Sequence, residues 1–230
     1  MKRIAIIGPG GVGKSTLAAN FSDFLKRRGL KVAVANLDPG CRHLGYDAFY
    51  DVRKKHRLDD VMKKSRLGPN GALKKIYEDV FGSAGERKKL EPKERNDFVF
   101  LDTAGSLELF LLGKTGEELK ETADAVLYVV DVESVENGED AVLLRAIGAV
   151  QELKYALPTL TVVNKADLAK RGIHQKRLGL AGFDAANEHL QKMVEEIGRR
   201  EKLVFVSSTD RKGFEELVDA LNELFCECGE

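Results

Sequence analysis

The chain has no tryptophan, only three cysteines and five prolines in 230 residues, and no net charge. Each shortage closes off a class of protein. Cys41, Cys226 and Cys228 are too few and too unevenly spaced for the disulfide framework of a small secreted domain. Lys and Arg number 37, as do Asp and Glu, so no overall field points to nucleic acid or to an anionic membrane. No apolar run nears the roughly 20 residues that a membrane helix needs. The start, Met1-Lys2-Arg3-Ile4-Ala5-Ile6-Ile7, has the charge pattern of a signal peptide but meets Gly8 at once and reads as a first strand. The expectation is a soluble cytoplasmic protein with no membrane contact and no direct nucleic-acid role.

What is present is apolar material for a core, at 43% of residues, and charge at 32%, above the usual share of about a quarter. The length suits a single α/β domain over residues 1–230. Short β-branched runs recur at Arg3–Gly8, Lys31–Asp38, Asp97–Asp102, Ala125–Asp131, Thr159–Lys165 and Leu203–Ser208. Most are continuously apolar, as expected of parallel strands covered on both faces. Amphipathic stretches separate them, at Lys14–Arg28, Leu107–Thr122, Glu139–Tyr155, Asp184–Arg200 and Gly213–Phe225. Such alternation predicts a three-layer α/β fold with a mainly parallel sheet. Its ligand edge lies where the strands end. The segment of about 40–93 breaks the rhythm. It contains no convincing strand, and its apolar residues (Leu58, Val61 and Met62, then Leu73, Ile76, Tyr77 and Val80) are spaced for helices, so it reads as a helical insertion.

The most specific motif is Gly8-Pro9-Gly10-Gly11-Val12-Gly13-Lys14-Ser15-Thr16, which fits G-x-x-x-x-G-K-[ST] between a strand and a helix. Glycines let backbone N–H groups turn inward around phosphate oxygens, and the helix adds its positive end. Lys14 would reach the β- and γ-phosphates and the Ser15 hydroxyl would hold Mg²⁺. Gly10, Gly11, Val12, Gly13, Lys14, Ser15 and Thr16 are therefore candidate nucleotide contacts. Asp102-Thr103-Ala104-Gly105 follows the third run; there Asp102 can hold Mg²⁺ through water and Gly105 can offer its N–H to the γ-phosphate.

The base is read from Asn164-Lys165-Ala166-Asp167. A carboxylate at Asp167 can accept from guanine N1–H and the exocyclic amine, whereas adenine would leave it unpaired. The Lys165 stem can lie along the base, Asn164 can tie neighbouring loops, and Ser207 and Ser208 fall where guanine O6 would lie. Asp38, in Asn36-Leu37-Asp38-Pro39-Gly40, would point at the phosphates, as a Mg²⁺-shell ligand or to orient water. Asp-Pro-Gly is also good turn chemistry, and both readings stand. His43 nearby reads as a solvated histidine rather than a catalytic one.

With Gly68-Pro69-Asn70 inside the insertion, followed by Gly71-Ala72-Leu73, the sequence resembles the GPN-loop GTPases. Asp51-Val52-Arg53 matches a further element of that family, and the resemblance covers essentially the whole chain. It implies a P-loop NTPase fold, GTP hydrolysis, and a homodimer in which each subunit presents Asn70 to the partner's nucleotide. It also implies a switch or assembly role toward a protein client. The family often carries D-T-P-G-Q, where this chain has Ala104 and Ser106, so a water-orienting Gln is missing. Two other readings stay open: a module that holds GTP with little turnover, and a metallochaperone-type GTPase, although only four His and no His-rich tract are present.

Overall fold

The structure is a computed structural model that describes residues 1–136, 138–169 and 203–226. Among the described residues seven strands form one sheet in which every pairing is parallel. The strands are β1 (Lys2–Ile7), β2 (Val32–Asn36), β3 (Ala48–Asp51), β4 (Phe98–Asp102), β5 (Ala125–Asp131), β6 (Thr159–Asn164) and β7 (Leu203–Phe205). Their spatial order is β3-β2-β4-β1-β5-β6-β7. β1 therefore sits between β4 and β5, and the chain leaves it at the centre of the sheet.

The continuous apolar runs are explained by what covers the two faces. Ile4 and Ile6 of β1 point to one side with Phe100 and Val162. There α1 (Lys14–Arg27) contributes Leu17, Phe21 and Leu25, and the last described helix, α9 (Phe214–Cys226), contributes Phe214 and Leu217. Phe21 packs edge-on against Phe214 with ring centres 5.1 Å apart, and lies 5.8 Å from Phe100. Ala5 and Ile7 point to the other side with Val99 and Leu101. That face is covered by α3 (Pro69–Phe81) through Leu73, Ile76, Tyr77 and Val80, and by Phe110 of α5 (Leu107–Leu112). Each fully buried side chain of this size is worth about 1.5–3 kcal/mol. The result is the three-layer P-loop NTPase arrangement expected from the strand–helix alternation.

Between β3 and α3 the chain forms a 3-10 turn (Val52–Lys54) and α2 (Leu58–Ser65); α4 (Ala84–Arg87) follows α3. α6 (Thr115–Leu119), α7 (Val132–Glu136) and α8 (Gly138–Tyr155) complete the described helices. No helix among the described residues is long and apolar enough to cross a membrane.

Several local expectations are corrected. The segment 40–93 does contain a strand, β3. It has four residues, all half-buried, and pairs with β2 alone across a register irregularity at Val34/Ala35. An edge strand so short leaves no periodicity to read. The stretch Leu107–Thr122 is two helices rather than one, because the chain turns extended at Gly113. β7 ends at Phe205, and Ser207 instead pairs antiparallel with Lys212 in a turn. The expected helix at 184–200 and Cys228 lie outside the described residues.

Candidate nucleotide site

Strand register places the functional loops on one edge. Ile6 and Asn36 both pair with Asp102, so the chain exits β1, β2 and β4 at similar heights; β5 and β6 run on three residues past the level of Ile7, to the Asp131–Asn164 pair. The loop after β1 then enters α1 at Gly13, which is left-handed with φ of 90°. No side chain caps that helix start, which leaves its first N–H groups free to meet an anion. Any Cβ at Gly13 would collide with the amide nitrogen of Asn164.

A cavity of about 250 Å³ opens there, lined by Gly10, Gly11, Gly13, Lys14, Ser15, Thr16, Asp38, Thr103 and Gly105. Lys14 is almost wholly buried, and its Nζ donates to the carbonyl oxygens of Gly8 (3.0 Å) and Pro9 (2.7 Å). Burial lowers its pKa, opposed by the charges of Asp102 and Asp38. A desolvated ammonium held by two carbonyls is well placed to exchange them for phosphate oxygens. Gly105 closes the cavity opposite, so tightly that a Cβ there would meet the Gly10 Cα at 2.5 Å. Val12, from the same loop, is buried in the core beneath the cavity.

Asp102 lies behind this cavity, fully buried. Its Oδ2 accepts a 2.6 Å hydrogen bond from the Tyr46 hydroxyl. Its Oδ1 is buried with no hydrogen-bond partner among the described residues. Burial raises the pKa of Asp102, while Tyr46, Ser15 and Lys14 favour its charged form. An orphaned carboxylate oxygen beside a serine hydroxyl, with Asp38 across the cavity, is a hard oxygen donor set that fits Mg²⁺. Tyr46 was not singled out in the sequence, because nothing local to it announces a bond 56 residues away.

Asp38 sits in a turn at the cavity wall. Its Oδ1 accepts from the Gly40 N–H at 2.8 Å, which is turn chemistry, yet the side chain also lines the cavity. Asn36 braces it, accepting from the Asp38 N–H at 3.1 Å and donating to Asp51 at 2.8 Å. Asp51 in turn is paired to Arg53 at 2.7 Å. That guanidinium, chiefly, pulls the Asp51 pKa down to about 2. Arg53 also donates to the Cys41 carbonyl oxygen at 3.0 Å, which fixes the segment following Asp38. His43 is exposed.

The residues expected to read the base lie in the loops after β6 and β7. Asn164 donates to the Val12 carbonyl oxygen (2.8 Å), while its Oδ1 accepts from the Ser208 N–H (3.0 Å) and hydroxyl (2.7 Å). Lys165 is left-handed with φ of 59° and its Nζ lies 3.4 Å from Asp131. Asp167 is exposed. Ser207 is buried, with its hydroxyl 3.2 Å from that of Thr209.

Asn70, expected at a nucleotide, does not line the cavity of its own subunit. It is exposed at the start of α3, and its amide donates to the Glu108 carboxylate on α5. Glu108 is a second residue that the sequence alone did not suggest.

A family model described as a conserved hypothetical ATP binding protein matches residues 6–227. The GPN-loop GTPase PAB0955 of Pyrococcus abyssi is 28% identical over 246 residues, covering 99% of this chain and 98% of its own. Its crystal structure, of a GTPase in apo form, superposes with a TM-score of 0.83 at 27% identity over 98% of both chains. GPN-loop GTPase 3 of Saccharomyces cerevisiae is 28% identical over 188 residues, 76% of this chain and 67% of its own. HypB from Helicobacter pylori in complex with nickel shares the fold alone, at 15% identity and a TM-score of 0.52 over 97% of this chain and 86% of that one.

Proposed function

Because this chain belongs to the GPN-loop GTPase family, and is a GTPase, we propose that it hydrolyses GTP as a homodimeric switch in which each subunit lends Asn70 to the nucleotide of the other. The observation that carries this reading is the convergence of Lys14, Ser15, Asp38 and Gly105, from three separate loops, on one cavity. The N–H groups of Gly10, Gly11, Gly13 and their neighbours Val12 and Thr16 would hold the phosphate oxygens, with Lys14 bridging β- and γ-phosphates. Ser15 would hold Mg²⁺ directly, and Asp102 and Asp38 through its water shell; the ion would neutralise charge on the phosphates. Gly105 would donate its N–H to the γ-phosphate. Asp167 and Lys165 would read guanine, with Ser207, Ser208 and Asn164 holding the loop that faces O6.

In the reaction a water oxygen forms a bond to the γ-phosphorus as the bond to the β-bridging oxygen breaks, releasing phosphate and GDP. Asp38 is the one carboxylate among the side chains lining the cavity, which supports a role in orienting that water where Ser106 replaces the family's glutamine. The cis placement of Asn70 outside its own cavity supports its use across a dimer interface. Its amide would then donate to phosphate oxygens as charge shifts in the transition state. A protein client whose assembly follows the nucleotide state is part of the same reading.

Single-turnover phosphate release in Mg²⁺ tests it. The expected unassisted rate is on the order of 10⁻⁴–10⁻² s⁻¹. Lys14→Ala and Ser15→Ala should abolish productive binding, whereas Asp38→Ala should spare binding more than chemistry. An unchanged Asp38→Ala rate would leave Asp38 as a turn residue only. Tight GTP binding with no phosphate released by the wild type would favour a module that holds GTP without turnover.

A further inference from the structure

We propose that the Tyr77 hydroxyl is a positioning residue that couples the loop facing the γ-phosphate to the Asn70 loop. Tyr77 lies in α3, wholly buried, and its hydroxyl accepts the Ala104 N–H at 2.9 Å. Ala104 immediately precedes Gly105, whose backbone is wedged against Gly10. The Tyr77 ring also meets Phe110 of α5, with centres 5.4 Å apart. One side chain of the Asn70-bearing helix therefore grips both the Asp102–Gly105 loop and the helix that follows it.

The spacing within α3 makes this grip mechanical. Asn70 and Tyr77 are seven residues apart, about two helical turns, so both face the same neighbour. At the N-terminal end Asn70 reaches Glu108 of α5; two turns later Tyr77 reaches Ala104 and Phe110. Pro69 at the first position fixes the entry to the helix. A shift of Ala104 is then transmitted to Asn70 through a rigid rod. Thr103, just before Ala104, donates to the Ile6 carbonyl oxygen at 2.7 Å, which anchors the loop to β1 on the upstream side. Motion at Gly105 is thereby directed toward Tyr77 rather than into the sheet.

The proposal rests on the reading that the Gly105 N–H meets the γ-phosphate. Under that reading Gly105 moves when GTP replaces GDP, Ala104 moves with it, and the Tyr77 hydroxyl carries the change to residues 67–73. By linkage, removing the hydroxyl also removes part of the preference for the triphosphate. A role confined to satisfying one buried N–H would lower stability without touching that preference.

The experiment uses the full chain and two nucleotides, GDP and the non-hydrolysable β,γ-imido analogue of GTP. In wild type, hydrogen exchange at the Ala104 amide and at residues 67–73 should change together when the analogue replaces GDP. Tyr77→Phe keeps the ring and loses the hydroxyl. It should bind GDP as wild type does, bind the analogue about fivefold or more weakly, within the usual range of coupling energies, and lose the response at 67–73. Val80→Ala, which loosens the packing of the same helix but leaves the Tyr77 hydroxyl and ring contacts in place, should lower the melting temperature without altering the analogue-to-GDP ratio. A Tyr77→Phe protein with wild-type ratio and an intact loop response would overturn the coupling. A wild type whose Ala104 amide does not respond to the analogue would overturn the Gly105 reading itself, and the coupling with it. A wild type whose Ala104 responds while 67–73 stay silent would overturn the coupling alone, with no variant needed.

Discussion

The side-chain amide of Asn164, at the end of β6, donates to the carbonyl oxygen of Val12 in the phosphate loop at 2.8 Å. This bond crosses 152 residues of sequence and ties the loop after β6 to the loop after β1. A brace of this kind means that a change at Asn164 is felt in both loops.

Asn164→Ala should therefore weaken GTP and GDP alike, and lower stability as well. The substitution leaves the Val12 carbonyl and Ser208 without their partner, which costs about 1–3 kcal/mol where the groups stay buried. Calorimetric titration with both nucleotides, alongside thermal unfolding, checks this. A variant that discriminated GTP from GDP differently from wild type would point to a role beyond bracing.

Asp167→Asn should turn the base preference. The carboxylate is exposed and free to accept from two guanine donors. Each hydrogen bond to a charged group contributes about 1.5–3 kcal/mol, so GTP affinity should fall about 10- to 100-fold or more. Xanthine nucleotides, whose O2 accepts, should gain. A competition titration in which wild type bound ATP as tightly as GTP would contradict the base assignment.

Tyr46→Phe should raise the Mg²⁺ concentration needed to retain nucleotide. It removes the 2.6 Å donor that fixes one Asp102 oxygen and so determines where the other points. The Mg²⁺ dependence of GDP release reads this without reference to turnover. Unchanged dependence would make Tyr46 a packing residue only.

The phosphate motif and Asn164–Asp167 were legible because each is carried by consecutive residues with one recognisable spacing. The parallel sheet was legible because burial on both faces writes itself as continuous apolar runs. β3 was not, since four half-buried residues at a sheet edge carry no period. Nor were the Tyr46–Asp102 and Tyr77–Ala104 bonds, which join residues 56 and 27 positions apart through single hydroxyls. Gly113 stood in plain view, yet the apolar spacing ran on past it and concealed the break between α5 and α6. Long-range polar contacts of this kind depend on the packed fold and leave no local signature.

Asp51 should supply an acid-sensitive part of the stability. Its pKa is lowered from 3.8 to about 2 by Arg53, with Asn36 adding a donor. A depressed carboxylate stabilises the folded state above its unfolded value, and that contribution is lost as pH falls from about 4 toward 2. Urea unfolding at stepped pH should show a steeper loss in wild type than in Asp51→Asn across this window. Parallel curves would remove Asp51 from the account of acid stability.

Whether Asn70 acts on the partner's nucleotide is decided by mixing two inactive proteins. Lys14→Ala destroys its own site and keeps an intact loop; Asn70→Ala keeps its site and loses the loop residue. With full exchange of equal amounts, half the dimers are heterodimers, and each holds one repaired site, so activity should return to about a quarter of wild type by twofold counting. A mixture that stays at the level of its parents, with heterodimers confirmed by native mass spectrometry, would contradict the shared site.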